Sequence, residues 1–102
     1  MDYFLVLLSE TTDIPEAHAA SHERFIDSLI ERNAVLLGGP LQRRVNGFSG
    51  AYVLAARDSD AATALAHEDP LVTHGSATCQ VTEWRLVGIN IAAIDPTQIL
   101  RS

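Results

Sequence analysis

Two ionisable residues that lie far apart in the chain, His22 and Asp69, have the types and settings that acid–base chemistry requires. His22 lies on the apolar side of a predicted helix, where a group that can carry charge needs a partner. Asp69 comes just after a second predicted helix, where a fold can deliver a carboxylate. A buried imidazole beside a carboxylate can act as a general base near neutral pH. The two residues are therefore a candidate acid–base pair, with a satisfied core histidine as the alternative reading of His22.

Two further histidines lie near this pair in the sequence and raise the alternative of a metal site. His18 precedes His22 by one helical turn, and His74 follows Asp69 in a predicted loop. Histidines at i and i+4 are acceptable metal ligands, but the H-E-x-x-H pattern of zinc enzymes is missing from the sequence. We therefore predict no metal and no cofactor, and we expect His74 to line the mouth of a pocket or to lie in solvent.

Candidate ligand-binding residues follow the second predicted strand. In Gly38-Gly39-Pro40 the glycines allow a ligand or a backbone to come close, and the proline is expected to end regular pairing. Either Arg43 or Arg44 has the guanidinium geometry that holds a carboxylate through two hydrogen bonds, with solvated loop charges as the alternative. The predicted substrate-binding residues are Gly39, Pro40, Arg43 and His74.

Length and composition narrow the class of protein. The 102 residues make one domain, and 47% of them are hydrophobic, as in an ordinary packed core. The net charge of −6 opposes nucleic-acid binding. The single cysteine, Cys79, fits a reducing compartment, and the apolar run Leu5–Leu8 is too short to span a bilayer. We expect a cytoplasmic protein that binds neither membrane nor nucleic acid.

Hydrophobic periodicity predicts the elements that must position these residues. One helical face carries His18, His22, Phe25, Ile26, Leu29 and Ile30. The predicted elements are a strand over 3–8, a helix from near Pro15 to near Asn33, strands over 35–37 and 49–56, a helix capped by Asp58 or Ser59 that ends before Pro70, and a strand over 77–87. Residues 42–47 are predicted to be a polar loop.

The order βαββαβ predicts an α+β fold, the ferredoxin-like sandwich, in which a four-stranded antiparallel sheet carries two helices on one face. The other sheet face is apolar in this chain and needs a partner, which predicts a homodimer of the dimeric α+β barrel type. Residues 1–88 form the predicted domain. Residues 89–102 are a tail that adds an edge strand or contacts the partner subunit.

Several motifs in the predicted order resemble the YCII-related (YciI-like) proteins of the dimeric α+β barrel superfamily. The resemblance covers about residues 3–86, and it is carried by His22-x-x-Phe25, Val35–Pro40, Gly47–Gly50, Asp69-Pro70 and Gly75. It implies that His22 and Asp69 form an active-site dyad. The sequence departs from the family pattern at Leu71, Cys79 and Glu83, near the expected pocket, and these departures bear on the substrate.

Three hypotheses for function follow from the residues and the resemblance. The first is a small, cofactor-independent enzyme of the isomerase or lyase kind. In it His22 is the acid or base, Asp69 orients it, and the substrate is a small, anionic organic molecule. The second is a non-catalytic dimeric module that binds a ligand or has a structural role. The third is a haem- or metal-dependent relative, for which the sequence offers no unpaired proximal histidine.

Overall fold

Four strands pair into one antiparallel sheet in the order β2-β3-β1-β4. The computed structural model describes residues 1–95 and 97. Its strands are β1 (Asp2–Glu10), β2 (Val35–Val45), β3 (Phe48–Ala56) and β4 (Ala77–Glu83), and its helices are α1 (Glu16–Glu31), α2 (Ser59–Ala66) and α3 (Pro70–Thr73). The predicted α+β, ferredoxin-like architecture is confirmed. No helix in the described ranges is long and apolar enough to span a membrane.

The core lies between the sheet and the helices, and period-two alternation in β1 builds it. Phe4, Val6 and Leu8 are almost fully buried, while the residues between them are only half-buried on the opposite sheet face. The register places Phe4 opposite Leu54 and Val6 opposite Tyr52, so β3 extends the same apolar surface. The helices cover this surface with buried side chains that include Leu29, Ala62 and Ala66. One face of the sheet is thereby committed to the helices.

The ends of α1 follow the predicted signals. Pro15 occupies the N-cap position, and Glu16 supplies a negative charge in the first turn, which favours the helix dipole. Arg32 is the C-cap, and Asn33 follows it with a φ of 59°. Asparagine tolerates this left-handed conformation better than most residues, and the helix stops there. These ends fix the length of the helix that carries His22.

The predicted end of the second strand at Leu37 is wrong, and so is the polar loop over 42–47, but regular pairing with β3 does break after Pro40, as predicted. β2 continues to Val45, with two register shifts, and only Asn46 and Gly47 form the turn to β3. Both have positive φ, as the tight hairpin turns of this type require. Proline is accommodated because β2 is an edge strand, where one side of the backbone needs no partner.

The chain after α2 also differs from the prediction. Asp58 caps α2 through a bond from the Ala61 backbone N–H at 2.8 Å, as expected, but Pro70 begins a further helix, α3, rather than a loop. The last strand ends at Glu83 instead of Val87. The described part of the tail contains a short 3-10 helix at Ile91–Ala93, and the predictions for residues 96 and 98–102 lie outside the described residues. The division at residue 88 stays a prediction.

Two adjacent glycines of β2 should respond very differently to alanine. A Cβ on Gly38 would lie 2.5 Å from the Tyr52 Cβ and 2.9 Å from the Ala51 carbonyl oxygen, whereas a Cβ on Gly39 would meet nothing within 4 Å. We expect Gly38→Ala to lower the free energy of unfolding by about 1–3 kcal/mol, the usual cost of overpacking. Gly39→Ala should change it by less than about 0.5 kcal/mol. Equal stability of the two variants in urea unfolding would contradict this packing.

Candidate active site

The fold brings the imidazole of His22 and the carboxylate of Asp69 into direct contact. The His22 Nδ1 atom lies 2.9 Å from Oδ1 and 2.8 Å from Oδ2 of Asp69. Asp69 is fully buried, while the His22 side chain keeps 21% of its surface exposed. The carboxylate is therefore enclosed by the protein, whereas solvent reaches part of the imidazole.

Local structure around Asp69 explains why its carboxylate is held in one place. Asp69 is the N-cap of α3, and its Oδ1 atom accepts a hydrogen bond from the Leu71 backbone N–H at 2.9 Å. Pro70 occupies the first helical position, where the missing N–H costs nothing. Since the carboxylate is fixed by its own helix, it can orient the imidazole rather than follow it.

The electrostatic setting raises the pKa of His22 above its ordinary value of 6.5. The hydrogen bond to Asp69 is the largest cause, burial opposes it, and the negative charges of Asp69, Glu10 and Glu23 add to the rise. A carboxylate only accepts hydrogen bonds, so Nδ1 carries the proton that faces Asp69. Nε2 makes no hydrogen bond to any residue in the ranges 1–95 and 97. In the neutral ring, Nε2 therefore presents a free lone pair.

A second polar group lies one helical turn from the dyad. The rings of His18 and His74 stack with their centroids 4.2 Å apart and their planes 8° from parallel. His18 Nδ1 also lies 3.2 Å from the Ser76 hydroxyl oxygen. The chain after α3 thus returns to the face of α1 that carries His22. Sequence reasoning placed His74 in this region but missed Ser76, which has no distinguishing sequence pattern.

The remaining predicted ligand-binding residues lie on β2 and do not touch the dyad. Gly39 and Pro40 are exposed and pair with Ala51 and Gly50 of β3. Arg43 is exposed and makes no hydrogen bond or ion pair with the part of the chain that the structure describes. Their role in binding stays a prediction.

The neighbouring arginine has a structural role. The Arg44 guanidinium donates to the carbonyl oxygens of Glu10 at 2.7 Å and Gly47 at 3.1 Å. These bonds tie the hairpin turn to the end of β1. Of the two arginines considered for anion binding, Arg43 is therefore the one whose guanidinium is not engaged in this way.

Two shallow grooves lie elsewhere on the molecule. One, of about 330 Å³, lies at the C-terminal end of α1 and is lined by residues that include Asn33, Ala55 and Leu65. The other, of about 310 Å³, lies beside Tyr3 and is bordered by Leu36 and by residues 86–89. Neither groove is lined by His22 or Asp69, and the exposed part of the dyad is the 21% of the His22 side-chain surface.

The chain is similar to known proteins both in sequence and in structure. The family model described as the YCII-related domain matches residues 3–85. A protein of Bacillus subtilis (strain 168), named "Uncharacterized protein YjpA", is 32% identical over 83 residues, which cover 81% of this chain and 94% of that protein. Residues 3–85 contain nearly all of the four strands and all of α1, α2 and α3.

Solved structures share the fold at low sequence identity. The dehydrochlorinase TftG from Burkholderia phenoliruptrix AC1100, solved with 2,5-dihydroxybenzoquinone, aligns with a TM-score of 0.63 at 15% identity over 81% of this chain and 93% of that chain. A muconolactone isomerase aligns with a TM-score of 0.61 at 15% identity over 91% and 98% of the two chains. A structure of At3g17210 from Arabidopsis thaliana gives 0.56 at 11% identity, over 89% and 100%.

The titration of His22 tests the geometry of the dyad. We expect a pKa above 6.5 in the native protein, and a lower value in Asp69→Asn, because the charge is removed while the burial remains. NMR titration of the histidine ring protons measures both values. An unchanged His22 pKa in Asp69→Asn would refute the contact.

The same shift predicts how stability depends on pH. Because the folded pKa of His22 is raised above 6.5, the contribution of the pair to the free energy of unfolding is complete below pH 6.5 and is lost as the pH rises through the folded pKa. The stability difference between the native protein and Asp69→Asn should therefore shrink with rising pH in chemical unfolding. A difference that grows over this range would have the wrong sign.

Proposed function

Since this chain belongs to the YCII-related family, we propose that it is a small enzyme that uses His22 and Asp69 for acid–base chemistry on a small organic metabolite. The observation that carries the proposal is the difference between the two nitrogen atoms of the His22 ring. Nδ1 is held by a buried carboxylate, and Nε2 is left without a partner among residues 1–95 and 97. Because the His22 side chain keeps 21% of its surface exposed, the nitrogen that no protein group occupies can exchange a proton with a bound molecule.

In the proposed mechanism His22 acts as the proton carrier. Nε2 removes a proton from a carbon or oxygen atom of the bound molecule, and the ring becomes an imidazolium cation. Asp69 stabilises that cation through the bond to Nδ1–H and keeps the ring in one orientation. In an isomerisation the proton then returns to another atom of the same molecule. In an elimination the bond to a leaving anion breaks, the anion departs into solvent, and the imidazolium releases its proton to water before the next turnover. Both outcomes need only the residues of the dyad.

The names of proteins with similar structures suggest a class of substrate. Their names describe a dehydrochlorinase bound to 2,5-dihydroxybenzoquinone and a muconolactone isomerase, both acting on small, oxygen-rich rings. Reactions of this kind begin readily with the loss of a proton activated by a carbonyl group. We propose a compact metabolite with an anionic group, held by Arg43 and His74 and approached by the backbone of Gly39 and Pro40.

We also propose that the protein works as a homodimer in a reducing, cytoplasmic setting. The sheet face opposite the helices carries the half-buried Leu5 and Leu7 of β1. Leu37 of the edge strand β2 lies across β3 from Leu5, since both pair with Val53, and it is 56% exposed. Apolar surface of this extent usually meets a partner, and a second copy closes the barrel. The unpaired thiol of Cys79 is consistent with reducing conditions.

A structural role for the pair is the second candidate. The His22–Asp69 contact joins α1 to α3, and the same carboxylate caps α3 at the Leu71 N–H. A contact of this kind stabilises the helix layer whether or not any chemistry takes place. The variant experiment below separates the two, because it preserves the contact and removes only the proton carrier.

His22→Gln is the sharpest variant, since its amide can still donate to Asp69 but cannot carry a proton at neutral pH. We expect the native protein to catalyse exchange of carbon-bound hydrogen for deuterium in at least one of a panel of small lactones, quinols and oxo acids. His22→Gln should reduce that rate by about 10²–10⁴-fold. Proton NMR in D₂O measures the exchange.

The matched control is His67→Gln, which replaces an exposed histidine bonded to its own helix and should leave the exchange rate unchanged. A His22→Gln protein that retains the native rate would reject the catalytic role. In that case a clear loss of stability on mutation of Asp69 would favour the structural role.

The dimer is tested by placing a lysine at each of two exposed apolar positions, one on the open sheet face and one on α1. We expect a dimer at micromolar concentration by light scattering, and Leu37→Lys should weaken it by at least about tenfold, because a charge is placed in the apolar interface. Ile30→Lys is the control, since Ile30 is 50% exposed on α1, away from the open sheet face. A monomeric native protein, or equal weakening by both changes, would rule out this interface.

A further inference from the structure

The turn between β2 and β3 places an asparagine directly before a glycine, and both residues are exposed. Asn46 has a φ of 52° and Gly47 a φ of 85°, the left-handed backbone that a two-residue hairpin turn requires. The side-chain amide of Asn46 and the backbone N–H of Gly47 make no hydrogen bond to any residue in the ranges 1–95 and 97. Two groups that can react with each other are therefore adjacent, exposed and unoccupied.

The chemistry open to these groups is loss of the side-chain amide. The Gly47 backbone nitrogen attacks Cγ of Asn46 and gives up its proton, and the side-chain nitrogen leaves as ammonia after taking up a proton. The product is a five-membered succinimide ring. Water then adds to one of the two ring carbonyl groups, and the ring opens to aspartate or to isoaspartate, in which the backbone continues through the side chain. Attack within one molecule is fast because the reacting groups need no bimolecular encounter.

The other two asparagines of the sequence lack this combination of features. Asn33 has a similar φ of 59°, but the next residue is Ala34, whose N–H donates to a carbonyl oxygen of α1 at 2.8 Å. Asn90 is exposed, but it is followed by the β-branched Ile91. A Cβ restricts the backbone rotation that brings the nitrogen onto the preceding side chain, and a branched Cβ adds further crowding. Of the three, Asn46 alone is followed by an unhindered and unoccupied backbone nitrogen.

We propose that Asn46 is a modification site of this protein, at which the side-chain amide is lost spontaneously and an aspartyl or isoaspartyl residue forms. The reaction consumes water and releases ammonia, and it needs no other protein and no oxidant or reductant. The modified fraction therefore grows with the age of the molecules. The inference is independent of the proposed function, because the reaction involves neither His22 nor Asp69.

The isoaspartyl product would release a structural anchor. The Gly47 carbonyl oxygen accepts from the Ser9 hydroxyl at 2.9 Å and from the Arg44 guanidinium at 3.1 Å, and Arg44 also donates to the Glu10 carbonyl oxygen. An isoaspartyl link inserts an additional atom into the backbone of the turn, whereas a two-residue turn depends on its exact length. The Gly47 carbonyl group then moves away from its donors, and the hairpin separates from the end of β1. The aspartyl product keeps the native backbone and retains the anchor.

The first test compares the three asparagines within the same molecules of the native protein. After incubation in warm, mildly alkaline buffer, peptide mass mapping measures the conversion of each amide into a carboxyl group. We expect Asn46 to convert at least about tenfold faster than Asn33 or Asn90, for which a barrier lower by about 1.4 kcal/mol is sufficient. Isoaspartate at position 46 is detected by enzymatic methylation. Conversion of Asn46 at or below the rate of the other two would overturn the proposal.

The second test asks whether the anchor restrains the reaction. Attack requires the Asn46–Gly47 peptide group to rotate, and the bonds at the Gly47 carbonyl oxygen oppose that rotation. Ser9→Ala removes one of these bonds and should raise the conversion rate by about two- to tenfold, the factor that one ordinary hydrogen bond produces. Ser28→Ala is the control, because the Ser28 hydroxyl is exposed and bonds only within α1. An equal rate in both variants would refute the restraint.

The third test measures the effect of the product on the fold. The isoaspartyl form, separated by ion exchange, is compared with Asn46→Asp, which has the same charge and an unaltered backbone. We expect the isoaspartyl form to melt at least about 4 °C below Asn46→Asp, because the bonds at the Gly47 carbonyl oxygen are lost. Equal melting temperatures would show that the anchor survives and would overturn this consequence. None of the three tests involves turnover, so their outcome is separate from that of His22→Gln.

Discussion

The structure depends on one buried carboxylate that serves two elements at once. Asp69 is fully buried, and it is stable there because its oxygens accept from the Leu71 backbone N–H and from His22 Nδ1. The first bond begins α3, and the second holds α3 against α1. Removing either partner leaves a buried charge underpaired, which is among the most destabilising changes in a protein interior. The helix layer above the sheet is therefore organised around Asp69 rather than around apolar contacts alone.

The same contact gives the site its chemical character. Because the carboxylate is fixed by α3, the imidazole is oriented without having to be fully buried, and 21% of its side-chain surface stays exposed. The hydrogen bond to Asp69, together with the negative charges around the ring, raises the pKa of His22 by more than burial lowers it, so the ring keeps its proton to a higher pH than an ordinary histidine. An arrangement in which one nitrogen is held and the other is open differs from that of a histidine used only for packing. It is this asymmetry, and not the fold, that supports an enzymatic function, since one fold hosts many activities.

Sequence patterns predicted most of the fold, because its main signals are local. Alternation in β1, the faces of α1, Pro15 before that helix and the Asp58 cap all act within a few residues. The predictions were wrong where the local structure depends on residues that are distant in the sequence. Gly38-Gly39-Pro40 continues a strand because β2 lies at the sheet edge, and strand order is a property of the whole sheet. Helix α3 is a different case, because its signal is local. Asp69 before Pro70 is a recognisable helix start, an N-cap followed by proline at the first helical position. The prediction treats this proline only as the end of the preceding helix.

The site was less accessible to sequence reasoning than the fold, and the reason is physical. Residue types and a family resemblance point to His22 and Asp69, but no local pattern specifies that side chains 47 positions apart meet at 2.8 Å. The sequence does not distinguish Arg43 from Arg44 as an anion-binding residue. The structure does, because Arg44 donates to the carbonyl oxygens of Glu10 and Gly47. The Tyr52 hydroxyl, which is buried and bonds to no residue in the described ranges, is likewise visible only in the folded chain. The function of a polar atom depends on which hydrogen-bond partners the folded chain places next to it. For that reason the residues that matter most here are recognised by their hydrogen bonds rather than by their position in a motif.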